Sequence, residues 1–194
     1  MKRIATGLAA LFIFLITWGQ EKPEGLFINS KAPDFKALNQ KKEEVRLKDL
    51  VKKGPVVLIF YRGQWCPYCN RYLKKLEDSL QLIKDKGALL VAVTPEKPES
   101  IGKTIEKTGA TYDIIYDKDL KIMKAYQVAY KVDEKTVKRY KSFDIDIAAN
   151  NGSEEVFLPV PALYIINPEM SVKFRFFEPD YKKRLSVKEI IDNL

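Results

Sequence analysis

Val56-Val-Leu-Ile-Phe-Tyr-Arg-Gly-Gln-Trp-Cys-Pro-Tyr-Cys69 is the stretch on which the reading of the fold turns. Its first six residues are apolar, β-branched or aromatic without a break, and Gly54-Pro55 precedes them. So short a run with no polar alternation predicts a strand covered on both faces, as in a central parallel sheet. Arg62-Gly-Gln-Trp65 reads as a turn. Leu73, Leu76, Leu80 and Ile83 then recur at helical spacing, and Gly87 stands where a helix should end. The order is strand, tight turn, helix. Cys66 falls in the turn and Cys69 in the first helical turn.

The same alternation continues outward. Ala88–Val93 reads as a second buried strand, Pro98–Thr108 as a helix ended by Gly109, 112–116 as a strand and 120–128 as a helix. Residues 129–156 are charged and irregular with no core pattern, and read as an insertion. Leu163–Ile166, the turn Asn167-Pro-Glu-Met170 and Val172–Phe177 form a hairpin, and Ser186-Val-Lys-Glu189 has the spacing of a capping box that opens a last helix. Strands alternating with helices predict an α/β domain over 32–194, with a mixed central sheet and helices on both faces. Its embellishments are an N-terminal extension and the insertion before the last hairpin.

Ahead of the domain, Met1-Lys-Arg3 and the apolar run Ile4–Trp18 break abruptly into polar sequence. The run is about 15 residues, short of the ~20 that cross a bilayer. This is the layout of a secretory signal over 1–19, followed by a polar linker over 20–31. The expected location is exported or periplasmic, with membrane attachment only where the leader is retained.

The two cysteines carry the expected chemistry. A thiolate, not a thiol, attacks a disulfide or peroxide. A helix start offers unpaired N–H groups and partial positive charge that lower a cysteine pKa. The 194 residues include no histidine, so imidazole cannot activate the nucleophile. Residues three apart share a helix face, so the two sulfurs can meet. On this reading Cys66 is the exposed attacker and Cys69 the more buried resolving thiol. Trp65 shields one side, Pro67 occupies a first-turn position where its missing N–H costs nothing, and Arg62 and Arg71 add positive charge. A purely structural disulfide is the bland alternative, but so short a loop removes little unfolded-state entropy.

Other classes fall away on composition. With two cysteines and no histidine, one chain cannot supply the four ligands of a structural zinc site or an iron–sulfur cluster. No metal and no cofactor is expected. The net charge is +8, but the basic residues are scattered in short groups such as Lys74-Lys75 and Lys182-Lys-Arg184, without the pattern of a nucleic-acid surface.

Ala32-Pro-Asp-Phe35, Phe60–Asn70 and Leu158-Pro-Val-Pro-Ala-Leu-Tyr-Ile-Ile-Asn167 resemble the peroxiredoxin-like branch of the alkyl hydroperoxide reductase and thiol-specific antioxidant (AhpC/TSA, redoxin) proteins. Phe177–Arg184 is similar to that family's tail. The resemblance spans about residues 30–194 and implies the thioredoxin fold. It implies a cis peptide at Val160–Pro161 facing the cysteines, with the Val160 backbone free to pair with a substrate strand. It also implies two different roles for the thiols. Cys69 matches the peroxide-attacking position of the family's Pro-x-x-x-Thr-x-x-Cys pattern, whereas Cys66 matches the nucleophile of thioredoxins. Arg62 and Cys66 stand where that pattern has proline and threonine, and the family's distant arginine has no counterpart before Leu163.

The sequence thus predicts an exported enzyme, a thiol–disulfide oxidoreductase or antioxidant. Its partners are a disulfide-containing protein or a thiol reductant, with peroxide as a further substrate. Two alternatives stand beside it: a peroxiredoxin-type peroxidase working mainly through Cys69, and a non-catalytic thioredoxin-fold domain with an inert pair.

Overall fold

The computed structural model describes residues 22–194, so the expected leader over 1–19 lies outside the described residues. In chain order the elements are β1 (Lys36–Leu38), β2 (Glu44–Arg46), α1 (Leu47–Leu50), β3 (Val56–Phe60), α2 (Pro67–Asp78), α3 (Leu80–Asp85) and β4 (Leu89–Thr94). There follow α4 (Pro98–Thr108), β5 (Asp113–Tyr116), α5 (Lys121–Ala125), β6 (Ala129–Lys131), α6 (Glu134–Lys141) and α7 (Ile147–Asn151). The chain closes with β7 (Phe157–Pro159), β8 (Ala162–Ile166), β9 (Val172–Phe177) and α8 (Val187–Asp192).

The central sheet has the order β5-β4-β3-β8-β9. β3, β4 and β5 are parallel, joined by the helical crossovers α2–α3 and α4, while β8 runs antiparallel to β3 and β9 to β8. β3 lies in the middle and every one of its residues is buried, which is why its sequence shows no polar alternation. The two-residue period of a strand then divides its side chains between two cores. Val57 and Ile59 pack with Leu73, Leu76, Ile83 and Ile190 on one face. Val56, Leu58 and Phe60 pack with Leu47, Met123, Tyr126 and Tyr164 on the other.

Three expectations change here. The helix expected to run from the cysteines to Gly87 is divided at Ser79, where φ −112° and ψ 8° leave the helical region between α2 and α3. Residues 22–31 are not a free linker. The Gly25 N–H donates to Gln127 O at 3.0 Å, the Leu26 N–H to the Tyr164 hydroxyl at 3.1 Å, and Leu26 is buried. An apolar residue in a polar stretch is the signal that this segment docks. The insertion, too, has a core of its own, made by Val132, Ile147, Val156 and Leu158. Val132 and Val156 lie between elements and Ile147 and Leu158 on α7 and β7, so no single period betrays them. Among the described residues no helix is long and apolar enough to cross a membrane.

Candidate active site

The cysteine turn is built by backbone economy. β3 ends at Phe60, and the Arg62–Trp65 turn carries the chain to the start of α2. Gly63 is required there, because a Cβ would lie 2.6 Å from both Glu96 Oε1 and Trp65 Nε1. The Gln64 N–H donates to Glu96 Oε2 at 2.7 Å, Asn70 Nδ2 to Gln64 O at 2.7 Å, and the Cys66 N–H to Gly63 O at 3.1 Å. Cys66 is the N-cap of α2 and Pro67 opens its first turn. The Cys66 sulfur accepts the Cys69 N–H at 3.3 Å, satisfying one of the donors a helix start leaves orphaned. The two thiols are reduced, and their sulfurs lie 2.7 Å apart.

Both sulfurs are sealed in: Cys66 and Cys69 are each 1% exposed. This corrects the expectation of an exposed Cys66. Distant chain segments pack on the same turn, Tyr140 of α6 on Trp65 at 5.0 Å between ring centroids and Tyr181 of the tail on Tyr68 at 5.8 Å. Arg71, expected to add charge, is exposed and stacks on Tyr68 instead.

Charge around the pair is uneven. Burial by itself raises the Cys69 thiol pKa. The hydrogen bond with Cys66, the Arg184 guanidinium, and the Arg62 backbone N–H and charge outweigh it and bring that thiol below its ordinary value. Cys66 moves the other way, through its hydrogen bond with Cys69, its burial and the charge on Cys69. The pair therefore gives up one proton readily and holds the second. Arg184 Nη2 is the direct contact, 3.4 Å from Cys69 Sγ. Glu96 is fully buried, and burial pushes its carboxyl up to about 8; the Gln64 N–H opposes this and the charge of Cys69 adds to it.

Of the residues singled out in the sequence, Arg62, Trp65, Cys66, Pro67 and Cys69 lie in one turn. Pro161 meets them from β8's approach, lining a small cavity together with Cys69, Tyr72 and Arg184. The Val160–Pro161 expectation fails. Among the described residues there is no cis peptide. Trans is the default even for proline by about 0.5–1 kcal/mol, and backbone bonds fix the chain on both sides. The Val160 N–H donates to Val128 O at 2.8 Å, and Pro161 O accepts the Glu178 N–H at 3.1 Å. Val160 is also buried, so its N–H is already used and does not await a substrate strand.

Glu96, Tyr140, Tyr181 and Arg184 were not legible as site residues. Tyr181 and Arg184 had a signal, since both lie in the tail segment Phe177–Arg184. Among the described residues no three His, Cys, Asp or Glu side chains converge on a point where an ion could sit. A cavity of about 660 Å³, lined by Leu38, Tyr116 and Ile122 among others, shares no residue with the cysteine turn.

The sequence matches the AhpC/TSA family over residues 28–175. It is 30% identical over 122 residues to the thiol-disulfide oxidoreductase ResA of Geobacillus kaustophilus, covering 62% of this chain and 69% of that protein. It is 32% identical over 104 residues to a Helicobacter pylori protein named as the peroxiredoxin bcp, covering 54% of this chain and 68% of that protein. The peroxidoxin BcpB of Mycobacterium tuberculosis superposes with a TM-score of 0.66 at 15% identity, covering 86% of this chain and 94% of that one. A mutant of peroxiredoxin 6 of Arenicola marina superposes with a TM-score of 0.68 at 18% identity, covering 86% and 71%. These likenesses identify the mixed sheet as the thioredoxin fold of peroxiredoxins. With a strand-turn-helix bearing two free thiols and a family match over most of its length, the chain belongs to the AhpC/TSA family and is an oxidoreductase.

Proposed function

We propose that the chain is an exported thiol–disulfide oxidoreductase whose Cys66–Cys69 pair cycles between dithiol and disulfide. The observation that carries this reading is the sulfur–sulfur distance of 2.7 Å at a helix N-terminus, beside the guanidinium of Arg184. In the reducing direction the Cys66 proton passes to the Cys69 thiolate across their 2.7 Å contact, and the Cys66 thiolate so formed attacks a disulfide of the client. The first client sulfur to leave takes the proton back from Cys69, and a mixed disulfide forms. The Cys69 thiolate then attacks Cys66 Sγ, the second client sulfur leaves and takes a proton, and the pair is left oxidised. A thiol reductant restores it. Because both sulfurs are buried, the packing around the turn must open for a client to enter. The leader-like sequence over 1–19 supports export.

The test is the full chain with Cys66→Ser, assayed for reduction of insulin disulfides. Lost activity supports the assignment, and unchanged activity ends it. A Cys69→Ser variant should accumulate the mixed disulfide, and its mass identifies the client.

The contact of Arg184 with Cys69 favours a second reading, attack of Cys69 on peroxide. The thiolate would displace the O–O bond, leaving a sulfenic acid on Cys69 and an alcohol or water. Cys66 would then condense with it, releasing water and forming the same disulfide. Stopped-flow reaction of the reduced protein with hydrogen peroxide separates the readings: a rate no better than free cysteine removes this one.

A further inference from the structure

Arg62 is 3% exposed, and a guanidinium stays charged in any protein environment. A buried cation without a counter-ion is costly. Yet among the described residues no carboxylate lies within ion-pair distance of it. Its Nη2 donates to the Tyr140 hydroxyl at 2.5 Å, while Nε and Nη1 are buried with no partner. Three rings hold it instead: Tyr181 at 4.3 Å, Trp65 at 4.8 Å and Tyr140 at 5.6 Å from ring centroid to guanidinium carbon. Ring faces attract a cation but carry no net charge.

The missing negative charge has few sources. Glu96 is buried with one oxygen on the Gln64 N–H, and at neutral pH it is mostly protonated. Tyr130 of β6 is shifted up by burial, and Tyr72 of α2 likewise, so both phenols are neutral. Arg184 of the tail is a second cation. What remains beside Arg62 is the cysteine pair: the guanidinium stacks on Trp65, the chain neighbour of Cys66, and its charge lowers the pKa of both thiols.

We propose that Arg62 is a positioning residue of the redox pair, the caged counter-charge that stabilises its thiolate form, and that the insertion serves the site by holding Arg62 through Tyr140. The assignment builds on the thiol-redox reading and adds its poise. When two molecules of a thiol reduce the Cys66–Cys69 disulfide, two electrons pass to the pair and its S–S bond breaks. A new S–S bond joins the two reductant sulfurs. Of the two protons released, one stays on the pair and one goes to solvent. The reduced form then carries the negative charge that Arg62 faces, and the disulfide form does not. Arg62 therefore biases the couple toward the reduced form and makes it a weaker reductant than it would otherwise be. The side chain four places N-terminal to Cys66 is fixed by residues far away in the chain, Tyr140 and Tyr181.

The test uses the full chain with Arg62→Met and Arg62→Lys, checked for native folding by circular dichroism. Thiolate absorbance is followed against pH, and the dithiol–disulfide equilibrium is measured against reduced and oxidised glutathione. Arg62→Met should move the ionisation midpoint up by about one unit, a tenfold loss of thiolate below the midpoint. The exchange constant should move about tenfold toward the disulfide, or 29.6 mV more reducing. Arg62→Lys should recover part of both shifts. Should Arg62→Met not fold, Tyr181→Leu and Tyr140→Leu should move both readouts in the same direction by roughly threefold. Unmoved midpoints and exchange constants in the folded variants overturn the proposal. The thiolate titration needs only reduced protein, so it judges Arg62 even where the pair is found not to cycle.

Discussion

Arg184 places Nη2 3.4 Å from Cys69 Sγ, across 115 residues of chain. The tail that follows β9 thus returns to the helix start and lays a cation on the Cys69 thiol. Arg184→Leu should raise the Cys69 thiol pKa and slow alkylation of the reduced protein near neutral pH by about tenfold, one unit of pKa. Alkylation by iodoacetamide across pH measures this. A profile matching the unaltered protein would show that the contact has no electrostatic role. Arg184 is only partly buried, so global stability should change little.

Glu96 supplies a pH dependence with a definite sign. Its carboxyl sits at about 8 in the folded reduced protein against an ordinary 4.5, chiefly through burial. The folded state therefore binds the proton more tightly than the unfolded state. This contribution to stability is full below the ordinary value and is lost as pH rises through the folded one. Between about pH 4.5 and 8 the protein should lose up to a few kcal/mol of stability. Urea midpoints for the reduced protein and Glu96→Gln at pH 5 and pH 8 test this. Equal slopes in the two proteins would reject it. In the disulfide form the thiolate charge is gone, so the loss should level off at lower pH and be smaller.

The contrast between these residues and the cysteines explains what the sequence revealed. β3 and the turn were legible because burial on both faces and the Cys-x-x-Cys spacing are local patterns. The capping box of Ser186 and Glu189 was legible for the same reason. Tyr140 and Arg62 are 78 residues apart and Gln64 and Glu96 are 32 apart. Such pairings follow from how layers stack, and no window of the sequence contains both partners. The Val160–Pro161 expectation failed likewise. Its Val128 partner sits just before β6, and only the assembled insertion shows that the N–H is taken.

The insertion's small core gives a prediction about access. Ile147 is 1% exposed and packs with Val132, Val156 and Leu158, in a cluster that also touches Trp65 and Tyr140. Ile147→Ala should cost about 2–5 kcal/mol within this cluster. The cluster lies apart from the two cores that cover the central sheet, so the loss should appear as local opening. Amide exchange should quicken over 129–156 while β3 and β4 stay protected. With the packing of Tyr140 on Trp65 loosened, the cysteines should alkylate faster at a pH where both proteins are fully ionised. Faster exchange throughout the central sheet would show that the insertion is not a separate unit.

Gly63 tests how tightly the turn is made. A Cβ added there meets Glu96 Oε1 and Trp65 Nε1 at 2.6 Å each and Glu96 Cδ at 2.7 Å, distances that real side chains do not tolerate. Its φ of 155° is also one that other residues seldom adopt. The Glu96 carboxyl is held by the Gln64 N–H and Trp65 is stacked on Tyr140, so neither can withdraw freely. Gly63→Ala should therefore destabilise the protein by about 1–3 kcal/mol through overpacking and backbone strain. Because Trp65 and Arg62 flank that glycine, it should also disturb the thiolate titration. Gly109→Ala is the control, with φ 71° but nothing within 4 Å of its added Cβ. It should carry strain alone and leave the titration in place. Thermal unfolding together with thiolate absorbance measures both variants. Equal loss in the two, with the titration unmoved in each, would mean that backbone conformation and not the close approach to Glu96 and Trp65 demands glycine at position 63.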